Sequence, residues 1–279
     1  MEIKSRVVCG DAVEVLRTLP PNHAALAVTS PPYFRHRDYG VAGQIGQEDS
    51  LIDYLERIGG VLSELFRVVR NDGSCFFVVG DTYSDRKLLL VPHRICLLAD
   101  AVGWTVRNDI IWQKTSPAPE SPRNRWRGGH EHIIFLTKKP SGYLFNAEAV
   151  RTPYAAATLR RWGAGQVYGG PKSKDCRKKD SRMRGGRSFR LNPAGCIPTD
   201  VWALPAANTS SRHYAAFPDQ LARRAIEACS NRGDLIVDPF AGTGTTCTAA
   251  VALGRRCLGI ELNPGYAAMA ELAIAKCTA

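Results

Sequence analysis

The chain reads as an α/β protein with a mostly parallel sheet, and three observations carry that reading. Strand-like and helix-like stretches alternate over the first 140 residues, and the same alternation resumes from Pro218 to Lys276. Between them lies a basic, glycine-rich stretch with no apolar periodicity. One sheet built from both ends of the chain, joined by right-handed crossovers, accounts for all three.

Each element has a local reason. Val7 to Gly10 reads as a strand, and Ala12 to Thr18 as a short helix that ends before Pro20. Ala24 to Val28 is a continuous apolar run, as a strand buried on both faces requires. Leu51, Ile52, Leu55, Ile58, Val61, Leu62, Leu65, Phe66 and Val69 recur at helical spacing, with Asp49 or Ser50 as cap and Asn71-Asp72-Gly73 as the expected stop. Cys75 to Gly80 follows as a buried strand, Leu88 to Val102 as a helix, and Trp104 to Gln113 and His132 to Thr137 as strands. The second part gives helix Pro218 to Cys229, strand Leu235 to Val237, helix Thr245 to Leu253, strand Arg256 to Ile260 and helix Pro264 to Lys276.

At 279 residues and 44% hydrophobic, the chain can bury one large core. It has no apolar run near the roughly 20 residues of a membrane span, and Met1 to Arg6 has no signal-peptide core, so a cytoplasmic protein is expected. Nine cysteines without a Cys-x-x-Cys pair read as reduced core residues. The formal charge is +11, and residues 151 to 190 hold +10 of it: twelve Lys or Arg against Asp175 and Asp180. Trp162, Tyr168 and Phe189 are interspersed there. Such a stretch suits phosphates and base edges of nucleic acid better than it suits a core, although charge runs are also found as plain solvated linkers. Arg123, Arg125 and Arg127, and the cluster Arg35-His36-Arg37, extend the basic character.

Two motifs sit at strand ends. Thr29-Ser30-Pro31-Pro32-Tyr33 closes the strand 24–28. Each proline fixes its own φ and holds the preceding residue extended, so a hydroxyl, a carbonyl and an aromatic face are presented rigidly, as a flat amine would need. Asp238-Pro239-Phe240-Ala241-Gly242-Thr243-Gly244-Thr245-Thr246 lies between a strand and a helix. It lacks the third glycine of a dinucleotide fingerprint and the Gly-Lys-Ser/Thr of a phosphate loop, which disfavours NAD and ATP. Glu261 closes the next strand, seventeen residues past Gly244, near the spacing at which nucleotide-binding folds place an acid on ribose hydroxyls. A nucleoside without phosphates fits.

Together these motifs resemble the bacterial DNA amino-methyltransferases, in the order-permuted group whose catalytic motif comes first. Gly10-Asp11, Phe66-Arg67-Val68-Val69, Val79-Gly80-Asp81, Ile110-Ile111-Trp112-Gln113-Lys114, His130-Glu131-His132 and Phe217-Pro218-Asp219-Gln220-Leu221 fall where that family has motifs. The resemblance implies a Rossmann-like S-adenosylmethionine-dependent methyltransferase fold with circularly permuted motif order and an inserted basic target-recognition segment. It places a catalytic half at residues 1–149, the recognition segment at 150–212 and a cofactor-binding half at 213–279. It further implies S-adenosylmethionine as cofactor, held by Asp11, Ala12, Ser30, Phe217, Leu221, Asp238, Phe240, Gly242, Thr243, Gly244, Thr245, Glu261, Leu262 and Asn263. For Phe217 and Leu221, core packing is the competing account.

The implied chemistry is transfer to an exocyclic amine, whose lone pair is delocalised into the ring. Ser30 and the Pro31 carbonyl would accept its N–H bonds, Pro32 would hold the turn, and Tyr33 would stack on a base flipped from the duplex. Asp81 is a further acceptor or, alternatively, a turn residue. Ser in the first position of the motif is typical of family members acting on cytosine N4, and Asp of those acting on adenine N6. Cytosine C5 chemistry needs a Pro-Cys loop, which this chain lacks. No metal is implied, and His130 and His132 read as packed histidines. Trp112 and Lys114 border the DNA cleft or serve as core and strand end. The implied partners are double-stranded DNA and, within a restriction-modification system, a cognate restriction endonuclease; the protein is a monomer or a homodimer. An N6-adenine DNA methyltransferase, a methyltransferase for RNA or a protein amide, and a non-catalytic DNA-binding protein of the same fold are the rival readings.

Overall fold

The computed structural model describes residues 4–117, 119–162, 191–206 and 217–278. Tyr168, Phe189 and the lysines and arginines from 172 to 190 lie outside the described residues. The chain divides into two compact units, Met1–Asn146 with Thr199–Ala279, and Ala147–Pro198.

In chain order the elements are β1 (Arg6–Cys9), α1 (Ala12–Arg17), β2 (Ala24–Thr29), α2 (Leu51–Val68), β3 (Val69–Val79), the short pair β4 (Tyr83–Ser84) and β5 (Lys87–Leu88), α3 (Val91–Val102), β6 (Thr105–Lys114) and β7 (His130–Thr137). A 3-10 turn (Ala147–Val150) and α4 (Ala156–Trp162) belong to the smaller unit. The larger unit resumes with β8 (Val201–Leu204), α5 (Asp219–Cys229), β9 (Leu235–Asp238), α6 (Thr245–Ala252), β10 (Arg256–Glu261) and α7 (Pro264–Thr278).

Eight strands form one sheet in the order β1-β10-β9-β2-β3-β7-β6-β8. The pairs from β1 across to β3 are parallel, β7 runs antiparallel to both its neighbours, and β8 pairs parallel with β6. The mixed α/β architecture and mostly parallel sheet agree with the sequence. Strands from the end of the chain, β9 and β10, sit between β1 and β2, which come from its start.

Helices cover both faces. Leu16 of α1, Ile58, Leu62 and Leu65 of α2 and Ile95 of α3 pack in one core with Cys75, Phe77 and Val79 of β3 and Ile134 and Leu136 of β7. α5 packs on β2 and β3, α6 on β9 and β10, and α7 on β1 and β10, without contributing to that core. Full burial on both sides explains why β2 reads as unbroken apolar sequence.

Three local expectations are corrected. Asn71-Asp72-Gly73 does not stop a helix: α2 ends at Val68 and these residues lie inside β3. The β2–β3 register advances from Ala24↔Val69 to Leu26↔Ser74, so the extra residues form a bulge. A Cβ on Gly73 would meet the Ala25 carbonyl at 2.5 Å, which is why glycine sits there. The sequence places residues 199–206 in the basic segment, yet Val201–Leu204 is an edge strand with Trp202 and Leu204 buried. Cys247 and Cys257, both fully buried, are joined as a disulfide between α6 and β10, where the sequence predicts reduced thiols. Their Cα atoms are 5.1 Å apart, a proximity that only the packed helix and strand create.

Candidate active site

The parallel strands β1, β10, β9 and β2 all end at one edge of the sheet, and their terminal residues converge there. Cys9 pairs with Glu261, and Gly259 with Asp238. The edge opens into a cleft. Its lining includes Asp11, Ala12, Ser30, Pro32, Phe217, Asp238, Phe240, Gly242, Thr243, Thr245, Glu261, Leu262 and Asn263.

The loops are held by side chains at the strand ends. Asp11 caps α1, its Oδ1 accepting from the Val13 and Glu14 amides at 2.9 and 3.0 Å. Oδ2 has no partner among the described residues. Glu261 accepts from the Gly242 amide through Oε2 and from the Asn263 amide through Oε1, both at 2.8 Å. Burial raises its pKa against the pull of those amides. Asp238 is 2% exposed and accepts from Thr29 Oγ1 at 2.7 Å and the Phe240 amide at 3.1 Å. Burial pushes its pKa up to about 6.

The two glycines of the β9–α6 loop differ. Gly242 has φ +53° and faces open space. Gly244 has φ +91°, and a Cβ there would meet Ala270 of α7 at 3.0 Å. Gly242 therefore lies on the cleft, whereas Gly244 is explained by helix packing and is not part of the lining.

At the β2 end, Ser30 is nearly buried, at 7% exposure, and its hydroxyl lies 3.4 Å from Tyr33 Oη. Tyr33 Oη donates to Glu131 Oε2 at 2.6 Å. Burial first, and Glu131 second, hold the Tyr33 pKa well above the usual phenol range, so the ring stays neutral. Tyr54 of α2 donates to the Pro32 carbonyl at 3.1 Å. The Pro31 carbonyl accepts no hydrogen bond among the described residues, but Pro31 is buried, and neither it nor Tyr33 is part of the cleft lining.

Several expected residues lie elsewhere. Leu221 is fully buried in α5 and belongs to the core, the alternative the amphipathic pattern left open. Asp81 Oδ1 accepts from the Thr82 amide at 2.8 Å and the Val91 amide at 3.1 Å, so that oxygen braces the turn into α3. Neither residue lines the cleft. Trp112 is a core residue whose Nε1 donates to the Leu204 carbonyl, and Lys114 pairs with Glu131. His132 bonds Asp109 at 2.8 Å and packs edge-on against His93 and His130.

Other site residues gave no sequence signal. Tyr39, Val41, Gly43, Gln44 and Ile45 form one wall of the cleft. Arg57 of α2 anchors that irregular loop, donating to the carbonyls of Gln44 at 2.8 Å and Gly43 at 2.6 Å and to Glu48 Oε1 at 3.1 Å. The Gln44 amide is oriented by Tyr39 N–H donating to Oε1 at 2.9 Å, and its Nε2 is a buried donor with no partner among the described residues. In the loop from 115 to 129, Trp126 is 94% exposed. Glu120 pairs there with Arg125, whose guanidinium lies 4.4 Å over the Tyr83 ring.

A family model described as DNA methylase, of the N6/N4 methyltransferase type, matches residues 24–272. Type II methyltransferase M.SmaI of Serratia marcescens is 30% identical, with 95% of this chain and 89% of that protein covered. Type II methyltransferase M.Cfr9I of Citrobacter freundii is 32% identical, over 92% and 83%. Among solved structures, a putative DNA modification methylase of Thermus thermophilus, complexed with S-adenosyl-L-methionine, superposes with a TM-score of 0.65 at 29% identity, covering 98% of this chain and 94% of that one.

Proposed function

The chain belongs to the N6/N4 DNA methylase family, and from that premise we propose that it methylates the exocyclic N4 amine of a cytosine flipped out of a specific DNA site. The observation that carries the cytosine reading is Ser30: a neutral hydroxyl stands at the lip of the cleft where adenine-directed members of the resembling group carry Asp. The order of Thr29-Ser30-Pro31-Pro32-Tyr33 before Asp238-Pro239-Phe240-Ala241-Gly242-Thr243-Gly244 supports a place in the permuted group.

S-adenosylmethionine is the cofactor of this enzyme class, and when bound it supplies the electrophilic methyl group. The cleft suits it. Gly242 leaves open space where a side chain would intrude, Phe217 and Phe240 offer apolar walls, and Gln44 Nε2 is a buried donor awaiting an acceptor. Glu261 and Asp11 retain lone pairs for ribose hydroxyls and an adenine amine.

The chain's own residues then act on the base. Tyr33 stacks on it. Ser30 Oγ and the Pro31 carbonyl accept its two N–H bonds and draw the amine out of conjugation, so that its lone pair becomes nucleophilic. Such acceptors work hardest in the transition state, where the nitrogen is most pyramidal and its N–H bonds most polar. No nucleophilic cysteine is needed, because transfer is direct.

The partner is double-stranded DNA. The +10 charge of residues 151–190 supplies the phosphate affinity and target recognition, and exposed Trp126 among Arg123, Arg125 and Arg127 adds a stacking side chain at a loop that starts from Lys114. The Type II names of the relatives support a place in a restriction-modification system, with a cognate endonuclease reading the same site in the cytoplasm. Incubating duplex DNA with methyl-labelled cofactor and digesting it to nucleosides tests the reading. Label in N4-methylcytosine is expected, and label in N6-methyladenine overturns the cytosine assignment.

A further inference from the structure

We propose that Glu131 is a positioning residue that sets the hydrogen-bond direction of Ser30, turning its hydroxyl into an acceptor for the substrate amine. The inference rests on the reading of Ser30 as an amine acceptor.

The direction follows from donor and acceptor inventories. A carboxylate paired with a lysine ammonium can only accept, and Lys114 Nζ, which can only donate, pairs with Glu131 Oε1. Tyr33 Oη, 2.6 Å from Oε2, must therefore spend its one hydrogen on Glu131. The phenol oxygen is left with lone pairs alone, so the Ser30 hydrogen points at Tyr33. Ser30 Oγ in turn keeps its own lone pairs for an N–H. At 3.4 Å the last link is long, as catalytic hydrogen bonds often are before substrate arrives.

Without the carboxylate, either partner in the Ser30–Tyr33 pair can donate. A Ser30 hydroxyl that donated its hydrogen toward the amine would occupy the nitrogen lone pair that must attack the methyl group.

The backbone is built for this contact. Glu131 sits on β7 and Gly80 follows the last residue of β3, the neighbouring strand, whose Val79 pairs with His132. A Cβ on Gly80 would come 2.7 Å from Tyr33 Cε2 and 3.5 Å from Glu131 Cγ. The missing side chain makes the space in which ring and carboxylate meet. Tyr33→Phe keeps the stacking face and deletes the link, whereas Glu131→Gln keeps the shape and lets the direction reverse.

The test measures single-turnover methyl transfer to duplex DNA at saturating cofactor, together with DNA affinity, cofactor affinity and thermal midpoint, for Glu131→Gln, Tyr33→Phe and the double variant. Each single variant is expected to slow transfer by roughly 10²-fold, the penalty of a misdirected catalytic group, with both affinities within about twofold of the parent. The double variant is expected to be no slower than Tyr33→Phe, because Glu131 acts only through the phenol. Independent, multiplying losses would overturn the proposal, as would a Glu131→Gln enzyme that transfers at the parental rate. Should Glu131→Gln fail to fold, Gly80→Ala perturbs the same contact; an unchanged transfer rate there would count equally against it. Identifying the methylated base in the parental product decides the cytosine reading separately, since the relay predicts the same couplings for any exocyclic amine.

Discussion

Thr29 and Asp238, 209 residues apart, are joined by a buried 2.7 Å hydrogen bond from hydroxyl to carboxylate. It ties the last residue of β2, just before the Ser-Pro-Pro-Tyr turn, to the last residue of β9, just before the glycine loop. The bond thus fixes the proposed amine-binding motif against the proposed cofactor loop. Thr29→Val keeps the shape and strips one donor from a buried carboxylate, which should cost about 1–3 kcal/mol of stability in urea denaturation. A loss below about 0.5 kcal/mol would show that the carboxylate finds another donor.

The same carboxylate gives a pH signature. Burial raises the Asp238 pKa from 3.8 to about 6, so between those values the native state binds a proton that the unfolded chain releases. This contribution to stability is complete below pH 3.8, falls as pH rises through about 6, and is flat above. The shift corresponds to something on the order of 3 kcal/mol. Asp238→Asn keeps an Oδ1 to accept from Thr29 and Phe240 and removes the titration. Denaturation midpoints of the two proteins should converge at low pH and separate in favour of the variant between about pH 4 and 6. Parallel curves would mean that the carboxylate does not titrate there.

The sheet was legible because its signals are local: β2 and β3 are apolar runs, and α2 has helical spacing and a Ser50 cap that accepts from Asp53 N–H. The strand-end residues Ser30, Gly242 and Glu261 were legible through motif spacing. What escaped detection depends on contacts across the chain. Glu131 stands in a motif, but nothing in the sequence links it to Tyr33, its partner 98 residues away. Arg57 looks like any exposed helix arginine until the loop it anchors is in place. Leu221 is expected at the site through the family resemblance and Asp81 through its place at a strand end; the structure has Asp81 Oδ1 accepting from two backbone amides and the leucine side chain buried.

Ser30→Ala separates chemistry from binding. The variant loses an acceptor that matters as the nitrogen pyramidalises, so transfer should fall by roughly 10²-fold. Cofactor affinity, which we assign mainly to the β9–α6 loop, Glu261 and Asp11, should change less than about twofold by isothermal titration. Equal losses in both would move Ser30 from the amine to the cofactor.

Arg57 tests the wall made by Tyr39 to Ile45. Its guanidinium holds two carbonyls and the Glu48 carboxylate, contacts on which that irregular loop depends for its position. Arg57→Met retains the aliphatic stem and should weaken S-adenosylmethionine binding about tenfold, near 1.4 kcal/mol, by leaving the loop to be ordered on binding. The thermal midpoint without cofactor should move little, because of the wall residues only Ile45 belongs to the main core. A large drop in that midpoint with unchanged affinity would make the arginine a fold residue instead.

Gly242 and Gly244 make opposite predictions although they are two residues apart. Alanine at 244 would meet Ala270 at 3.0 Å with φ at +91°, a conformation that costs a non-glycine residue about 1–3 kcal/mol before any clash. Gly244→Ala should therefore lower stability most, with α7 displaced. Alanine at 242 meets no atom of the described residues within 4 Å, and its φ of +53° is the left-handed region that side chains tolerate best. Gly242→Ala should fold nearly as well as the parent, while its methyl group occupies space reserved for cofactor and weakens binding by tenfold or more. Paired thermal denaturation and calorimetric titration of the two variants check this. If Gly242→Ala binds S-adenosylmethionine normally, the cofactor does not approach the loop backbone at that residue.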